Sequence, residues 1–257
     1  MTADASVAAG DEAKIRQVIE GYNARDLIGR TFTLSFWVRS SKTGTHCVAF
    51  KNAGADRTYV ATYTVSAADT WEKKSVTVTG GLITAGTWNW TTGVGLNVDF
   101  TLVCGSTFQT TAGAWQTGNF VGTSGQVNCL DNPSNLFAIT GVQLEVGAVA
   151  SPFEHRLYGH ELALCHRYFQ RFQRGPGQLI HYFPGAGGAA YVDRFAYKQP
   201  IRDPSTASAT VVGTPNYVNS SVLFLFPDYD AVYARCTVTA TGGYSVDTYA
   251  LTLSNEL

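Results

Sequence analysis

Phe32-Thr-Leu-Ser-Phe-Trp-Val38 is the stretch on which the fold turns. It alternates apolar with small polar residues and then becomes wholly apolar, the period-2 signature of a strand with one buried face. Trp37, inside its apolar end, reads as core. Outward from it, Tyr59 to Val65, Lys74 to Val78, Leu96 to Leu102 and Phe137 to Val146 carry the same enrichment in β-branched and aromatic residues. Turn signals separate them: Lys42-Thr-Gly-Thr45, Asn52-Ala-Gly-Ala-Asp56, Gly80-Gly81 and Asp131-Asn-Pro-Ser-Asn135. Many short strands without alternating helices predict an all-β sandwich or barrel and exclude a βαβ fold.

One segment breaks the pattern. In Gly159-His-Glu-Leu-Ala-Leu-Cys-His-Arg-Tyr-Phe-Gln-Arg-Phe172, the residues Leu162, Cys165, Phe169 and Phe172 fall at a 3-4-3 spacing. They predict one apolar stripe on a helix, which Gly175-Pro-Gly177 ends. Beyond it, from Gln178 to Leu257, a second sheet-like region has strands around Tyr191–Tyr197, Ser221–Phe226, Val232–Thr239 and Tyr249–Leu253. The helix thus reads as a joint between two β regions, and all five Trp residues lie on its N-terminal side.

Composition narrows the function. Of 257 residues only 14% are charged and the net charge is −1, so the chain offers no electrostatic footprint for nucleic acid or an anionic membrane. Cys47, Cys104, Cys129, Cys165 and Cys236 form an odd set with no C-x-x-C spacing, which argues against a disulfide framework or a zinc site. The opening residues lack a signal peptide's basic and apolar regions, and no window reaches the ~20 apolar residues of a membrane span. A soluble protein off the ordinary secretion route, without membrane insertion, is expected.

Chemistry-bearing motifs are few. Thr87-Trp-Asn-Trp-Thr91 and Ala114-Trp-Gln-Thr-Gly-Asn119 combine flat aromatic rings with amides in turn-rich segments. Rings of this kind cover the apolar face of a sugar, and amides satisfy its hydroxyls. Trp88 and Trp90 share parity on a strand, so they either fill the sandwich core or face a ligand together; the spacing leaves both open. Trp115 in a loop is the better ligand candidate, with Asn119 beside it. A second candidate surface lies in turn-like contexts around Tyr217, Tyr229, Tyr233 and Tyr244, with Asn216, Asp228 and Asp230, although each also reads as a solvated turn. The helix stripe of Leu162, Cys165, Phe169 and Phe172 suits either a three-helix contact at a trimer axis or packing on its own chain. His160-Glu161 begins like a zincin motif, but the spacing to His166 is wrong for a metal. Asp228 and Asp230 stand too close in sequence to support a glycosidase assignment, and no G-x-S-x-G occurs. No catalytic residue, metal or cofactor is expected.

Several stretches together resemble the C-terminal receptor-binding region of bacteriophage tail fibres and tail spikes. They are Ile15-Arg-Gln-Val-Ile-Glu-Gly21, Gly29-Arg-Thr-Phe-Thr-Leu-Ser-Phe-Trp-Val-Arg39 and Asp69-Thr-Trp-Glu-Lys-Lys-Ser-Val76, then Thr140-Gly-Val-Gln-Leu-Glu-Val-Gly147 and Ser151-Pro-Phe-Glu-His-Arg156. Glu161-Leu-Ala-Leu-Cys-His-Arg-Tyr-Phe169, Pro200-Ile-Arg-Asp-Pro-Ser-Thr206 and Leu251-Thr-Leu-Ser-Asn-Glu-Leu257 follow. The Gln-Leu-Glu-x-Gly followed by Pro-Phe-Glu-x-Arg is the most specific of these. The resemblance implies a jelly-roll β-sandwich similar to carbohydrate-binding modules, a short linking helix, and a smaller β tip domain, assembled as a homotrimer on the virion. Family members usually carry a strand and a fibre shaft ahead of the Ile15 segment; here only about a dozen residues precede it. The resemblance also decides an ambiguity. Ile15, Val18, Ile19 and Tyr22 stand at helical spacing, whereas the resemblance implies a strand over Ile15–Glu20, and we adopt the strand.

The expectation is therefore an N-terminal tail (1–13), a jelly-roll (14–154), a linking helix (155–176) and a β tip (177–257). The implied function is non-catalytic recognition of a host surface polysaccharide or lipopolysaccharide. Its partners would be two further copies of the chain and upstream fibre or tail proteins, on a virion made in the host cytoplasm. The alternatives are a carbohydrate-binding accessory module of a secreted polysaccharide-degrading enzyme and a purely structural fibre segment.

Overall fold

The computed structural model describes residues 3–173, 190–196, 198–200, 208–212, 220–227, 231–238 and 250–254. The chain divides into two compact units, Met1–His155 and Arg156–Glu256.

The first unit is all-β. Its elements are β1 (Glu12–Glu20), a single helical turn α1 (Gly21–Ala24), β2 (Phe32–Ser40), β3 (Gly44–Lys51), β4 (Arg57–Val65), β5 (Glu72–Val78), β6 (Val94–Cys104), β7 (Trp115–Thr117) and β8 (Phe137–Val146). They form two antiparallel sheets, ordered β1-β6-β3-β4-β7 and β5-β2-β8. Strand parity explains the core between them. Phe32, Leu34, Phe36 and Val38 of β2 and Val76 and Val78 of β5 face Val48, Phe50, Tyr63, Val65, Leu96, Val98 and Phe100 of the larger sheet in one buried cluster. Phe36 is its hub, edge-on to Tyr63 and to Phe100 with both centroid distances 5.0 Å. Truncating such a side chain to Ala costs roughly 3–5 kcal/mol.

Parity also corrects one expectation. Trp37 is not core: it points away from the cluster and is 42% exposed, because the alternation of β2 continues through the apolar end of the stretch. β1 is a strand over its whole length, paired with β6, despite its helical spacing. Pairing with β6 and the bidentate bond from Arg16 to Asp99 (2.6 and 2.8 Å) outweigh a local preference worth a fraction of a kcal/mol per residue.

The central strands β3 and β6 of the larger sheet are buried on both faces. The chain between β6 and β8 folds over its outer side, where Phe120 packs on Cys47, Ala49 and Val60. Thr58 Oγ1 donates to Gly118 O (2.7 Å), Thr101 Oγ1 to Val121 O (2.5 Å) and Gln126 Nε2 to Thr101 O (3.1 Å). Residues 147–154 likewise cross the outer face of the smaller sheet, with Thr33 Oγ1 donating to Gly147 O (2.7 Å). This crossing gives the Gln-Leu-Glu…Ser-Pro-Phe-Glu motif its physical meaning. Glu145 accepts the Ser151 N–H (2.8 Å) and hydroxyl (2.7 Å), while the Gln143 amide donates to Ser151 Oγ (2.9 Å) and accepts the Glu154 N–H (2.8 Å). The motif is a clasp that holds the exit segment on β8. A bulge in β8 opposite Ser35–Trp37 contains Gly141 at φ 57°, a backbone conformation costly for any residue with a Cβ.

In the second unit, α2 (Tyr158–His166) is followed by β9 (Phe169–Gln173), β10 (Ala190–Ala196), β11 (Ser208–Val212), β12 (Ser220–Pro227), β13 (Ala231–Val238) and β14 (Ala250–Ser254). These strands make two antiparallel sheets, β10-β13-β12 and β11-β14-β9. The expected helix to Phe172 is corrected. It ends at His166, and Phe169 and Phe172 lie in β9 opposite Ser254 and Leu251, so the four-residue stripe does not form on one helix. Gln170 marks the reason. Its buried amide donates to His166 O (2.9 Å) and Gln199 O (2.6 Å) and accepts the Lys198 N–H (2.9 Å), so it closes the helix and ties β9 to its neighbour.

Candidate functional site

The structure brings the three candidate tryptophans together. Trp88 and Trp90 lie in the irregular segment before β6 and stack on each other, centroids 4.8 Å apart at 11°. Trp115 meets Trp88 edge-to-face at 5.9 Å and Tyr59 at 5.7 Å. All three are half-buried against the rim of the core cluster. Trp115 is not in a loop as expected: it opens β7, which pairs with β4 at Tyr59. Its indole N–H donates to Gly81 O (3.0 Å), and that of Trp88 donates to Ala85 O (2.9 Å). Both therefore hold the 81–91 segment in place. Among the described residues the N–H of Trp90 has no acceptor.

The polar residues around them are largely committed to shaping that segment. The Asp56 carboxylate accepts the Thr87 N–H (3.1 Å) and hydroxyl (2.9 Å) and bonds the Asn52 amide. These bonds, Asn52's first, hold it below the usual carboxylate pKa. Asn89 Oδ1 accepts from Thr91 N (2.8 Å), Thr91 Oγ1 (3.0 Å) and Gly93 N (3.3 Å). Gly21, opening α1, packs so tightly on this turn that an added Cβ would lie 2.4 Å from Asn89 O. The outcome is a fixed aromatic shelf with one ring, Trp90, whose polar edge is unspent.

Asn119 serves a different group, one the sequence reading missed. Its Oδ1 accepts from Lys51 Nζ at 2.9 Å, and Lys51 Nζ also lies 2.9 Å from Asp99 Oδ2. Lys51 and Asp99 are buried on the outer side of the larger sheet, with Arg16 completing the pairing of Asp99. Burial pulls the proton affinity of Lys51 down more strongly than Asp99 raises it. The Asp99 carboxyl is nevertheless held below its usual range: burial pushes it up, and Arg16 and Lys51 together overcome that. The signal was present in the sequence, since Lys51 ends Cys-Val-Ala-Phe-Lys and Asp99 interrupts Leu-Asn-Val-Asp-Phe. A charge inside an apolar strand is almost never buried without a partner.

Other groups offer less. His46 Nε2 faces Lys42 O (3.0 Å) and Nδ1 faces Cys129 Sγ (3.7 Å), but burial pushes the Cys129 thiol up to about 11, so it is no nucleophile at neutral pH. A groove of about 330 Å³ opens between β1 and β8, walled by Ile15, Ile19, Ile139, Val142 and Leu144. Its lining is mostly apolar, and at its rim Arg16 Nη2 is engaged with Asp99 and Gln17 Nε2 with Val18 O. Among the described residues, no three His, Cys, Asp or Glu side chains gather to hold a metal.

In the second unit, Leu162 and Cys165 are exposed on α2, and Phe169 is exposed in β9. Tyr233 is not in a turn: it lies in β13, opposite Arg194 on one side and Phe226 on the other. Tyr217, Tyr229 and Tyr244, with Asn216, Asp228 and Asp230, fall outside the described residues. No protein-family model, curated protein or solved structure matches the chain.

Proposed function

We propose that this chain is a non-catalytic glycan-recognition protein of the bacteriophage tail-fibre type. The observation that carries the reading is the Trp88–Trp90–Trp115 shelf, fixed to the rim of a β-sandwich with one indole N–H unspent. Such a shelf meets the C–H face of a pyranose at little entropic cost, since the rings are already immobilised. In this reading the first unit is a jelly-roll, Trp90 supplies the stacking face and a donor, and the Asn89 amide supplies a second. The ligand is a surface polysaccharide or lipopolysaccharide of the host.

The proposal includes a homotrimer on the virion, joined to upstream fibre or tail proteins. It is supported by the apolar residues left uncovered at the start of the second unit: Leu157 (84% exposed), Tyr158, Leu162, Leu164 and Phe169. A single shallow site binds weakly, and three tied together gain avidity.

The test is adsorption of the purified chain to an array of bacterial surface glycans, beside light scattering on a sizing column. Saturable binding lost in Trp90→Ala, by a species near three times 27.6 kDa, supports the reading. A folded chain that binds no glycan on the array, or binds equally well without Trp90, overturns the site.

A further inference from the structure

Lys51, Asp99 and Asn119 are placed for a reaction as well as for a salt bridge. The amine sits at the end of the central strand β3, 1% exposed, and touches a carboxylate and a carboxamide at the same 2.9 Å. Asp99 is fully buried, whereas Asn119 is exposed. We propose that Lys51 and Asn119 condense into an intramolecular amide bond, with Asp99 carrying the proton.

The chemistry balances without an oxidant or a cofactor. Lys51 gives up a proton to the Asp99 carboxylate, and the free Nζ lone pair attacks Asn119 Cγ. Nζ, now bearing two protons and a positive charge, passes one to Nδ2, and the tetrahedral centre collapses with cleavage of the Cγ–Nδ2 bond. Nδ2 leaves as ammonia, takes the proton back from Asp99 and departs as ammonium. One C–N bond forms, one breaks, and the carboxylate is regenerated. Arg16 bonds both oxygens of Asp99, so the carboxylate starts ionised and, as a weak base, holds the proton only while the amine attacks.

Three features distinguish this arrangement from a merely structural ion pair. A buried ammonium is disfavoured by lost hydration, and the nearby cations Lys14 and Arg16 push the same way, so the reactive neutral amine is within reach. The amine is fixed against its electrophile by a strand paired on both sides, the condition under which an intramolecular reaction gains most from proximity. Exposure of Asn119 leaves the departing ammonia a way to solvent. The bond would staple the covering segment to the sheet across a separation of 68 residues.

Intact-mass spectrometry of the whole chain, purified and held at mildly alkaline pH, decides the matter. The expected product is one ammonia lighter than its sequence, and trypsin fails to cleave after Lys51 because that side chain is acylated. Lys51→Arg and Asp99→Asn should keep the full mass. Asn119→Asp, nearly isosteric, should instead lose one water, a signature that a variant failing to fold cannot mimic. A wild-type chain of full mass after prolonged incubation overturns the proposal. So does a lighter chain whose loss maps to another asparagine while trypsin still cleaves after Lys51.

Discussion

Trp115→Ala and Trp90→Ala remove the same side chain from one aromatic group, yet their costs should differ in kind. Trp115 makes a hydrogen bond to Gly81 O and two edge-to-face contacts, with Tyr59 and Trp88. A buried hydrogen bond contributes about 1 kcal/mol and each aromatic pair about 0.5–1.5, so its loss should cost roughly 2–4 kcal/mol and release the 81–91 segment. Both rings lose apolar burial at the core rim; beyond that shared cost, Trp90 makes one ring stack and, among the described residues, its N–H meets no acceptor, so its loss should add only about 0.5–1.5 kcal/mol. Urea unfolding followed by tryptophan fluorescence gives both numbers, and glycan-array adsorption of the folded variants gives the second axis. Trp90→Ala should be clearly the more stable of the two variants and still lose binding. Trp115→Ala should lose stability first and binding only as a consequence. A Trp90→Ala variant as unstable as Trp115→Ala would refute the division of labour, because the shelf would then be simple core.

Two further predictions concern acid. The carboxylate of Glu72 is hydrogen-bonded by Lys74 and by the N–H groups of Ala67 and Ser66, and is held at about 2 against its ordinary 4.5. Its stabilisation is complete above pH 4.5 and fades as pH falls toward 2, so Glu72→Gln should flatten the stability–pH curve in that window, as read by urea midpoints. His46 is buried with its pKa lowered by desolvation from 6.5, so the unfolded state binds its proton first. Stability should therefore decline as pH drops below about 6.5, and His46→Gln should lessen that decline in the same titration. Gly141→Ala should cost more than Gly29→Ala. Both sites have positive φ, worth about 1–2 kcal/mol to a residue with a Cβ. An added Cβ at Gly141 would also press on Trp37 at 3.3 Å, whereas the space at Gly29 is open, and denaturant midpoints of the two variants measure the difference.

Strands are legible where the run is rich in β-branched and aromatic residues, whether or not one face is exposed: β4 and β6 of the larger sheet read as strands although β6 is buried on both faces. β2, β5 and β8 of the smaller sheet alternate visibly in sequence. β3, equally buried from His46 onward, is not legible because Gly-Thr-His-Cys-Val-Ala-Phe-Lys mixes Gly, His, Cys, Ala and Lys among few β-branched or aromatic residues, so neither period nor composition marks it. The layer that covers it, residues 118–130, is irregular and held by bonds to backbone carbonyls, which leave no mark on hydropathy. Trp37 shows the converse error. The apolar run predicts burial on both faces, but the smaller sheet has an outer face that the exit segment only partly crosses. The motif Gln-Leu-Glu…Ser-Pro-Phe-Glu is specific in sequence, yet its role as a clasp depends on the fold, which brings Glu145 within reach of Ser151. Helical spacing failed twice, at Ile15–Tyr22 and at Phe169–Phe172, and in both places strand pairing decided.

The candidate site follows from an accounting of polar atoms, which the sequence alone does not permit. Thr87, Asn89 Oδ1, Asp56 and the N–H groups of Trp88 and Trp115 are satisfied within the chain, so they rigidify the shelf and leave nothing for a ligand to displace cheaply. What remains for recognition is one ring edge and an amide, pre-ordered and shallow. Pre-ordering lowers the entropic cost of binding, but so few contacts bound the affinity of one copy to the weak range. A protein built this way attaches firmly only when several copies act together. The uncovered apolar residues from Leu157 to Phe169 therefore support the proposed reading, since as proposed the shelf alone would bind weakly and needs several copies acting together.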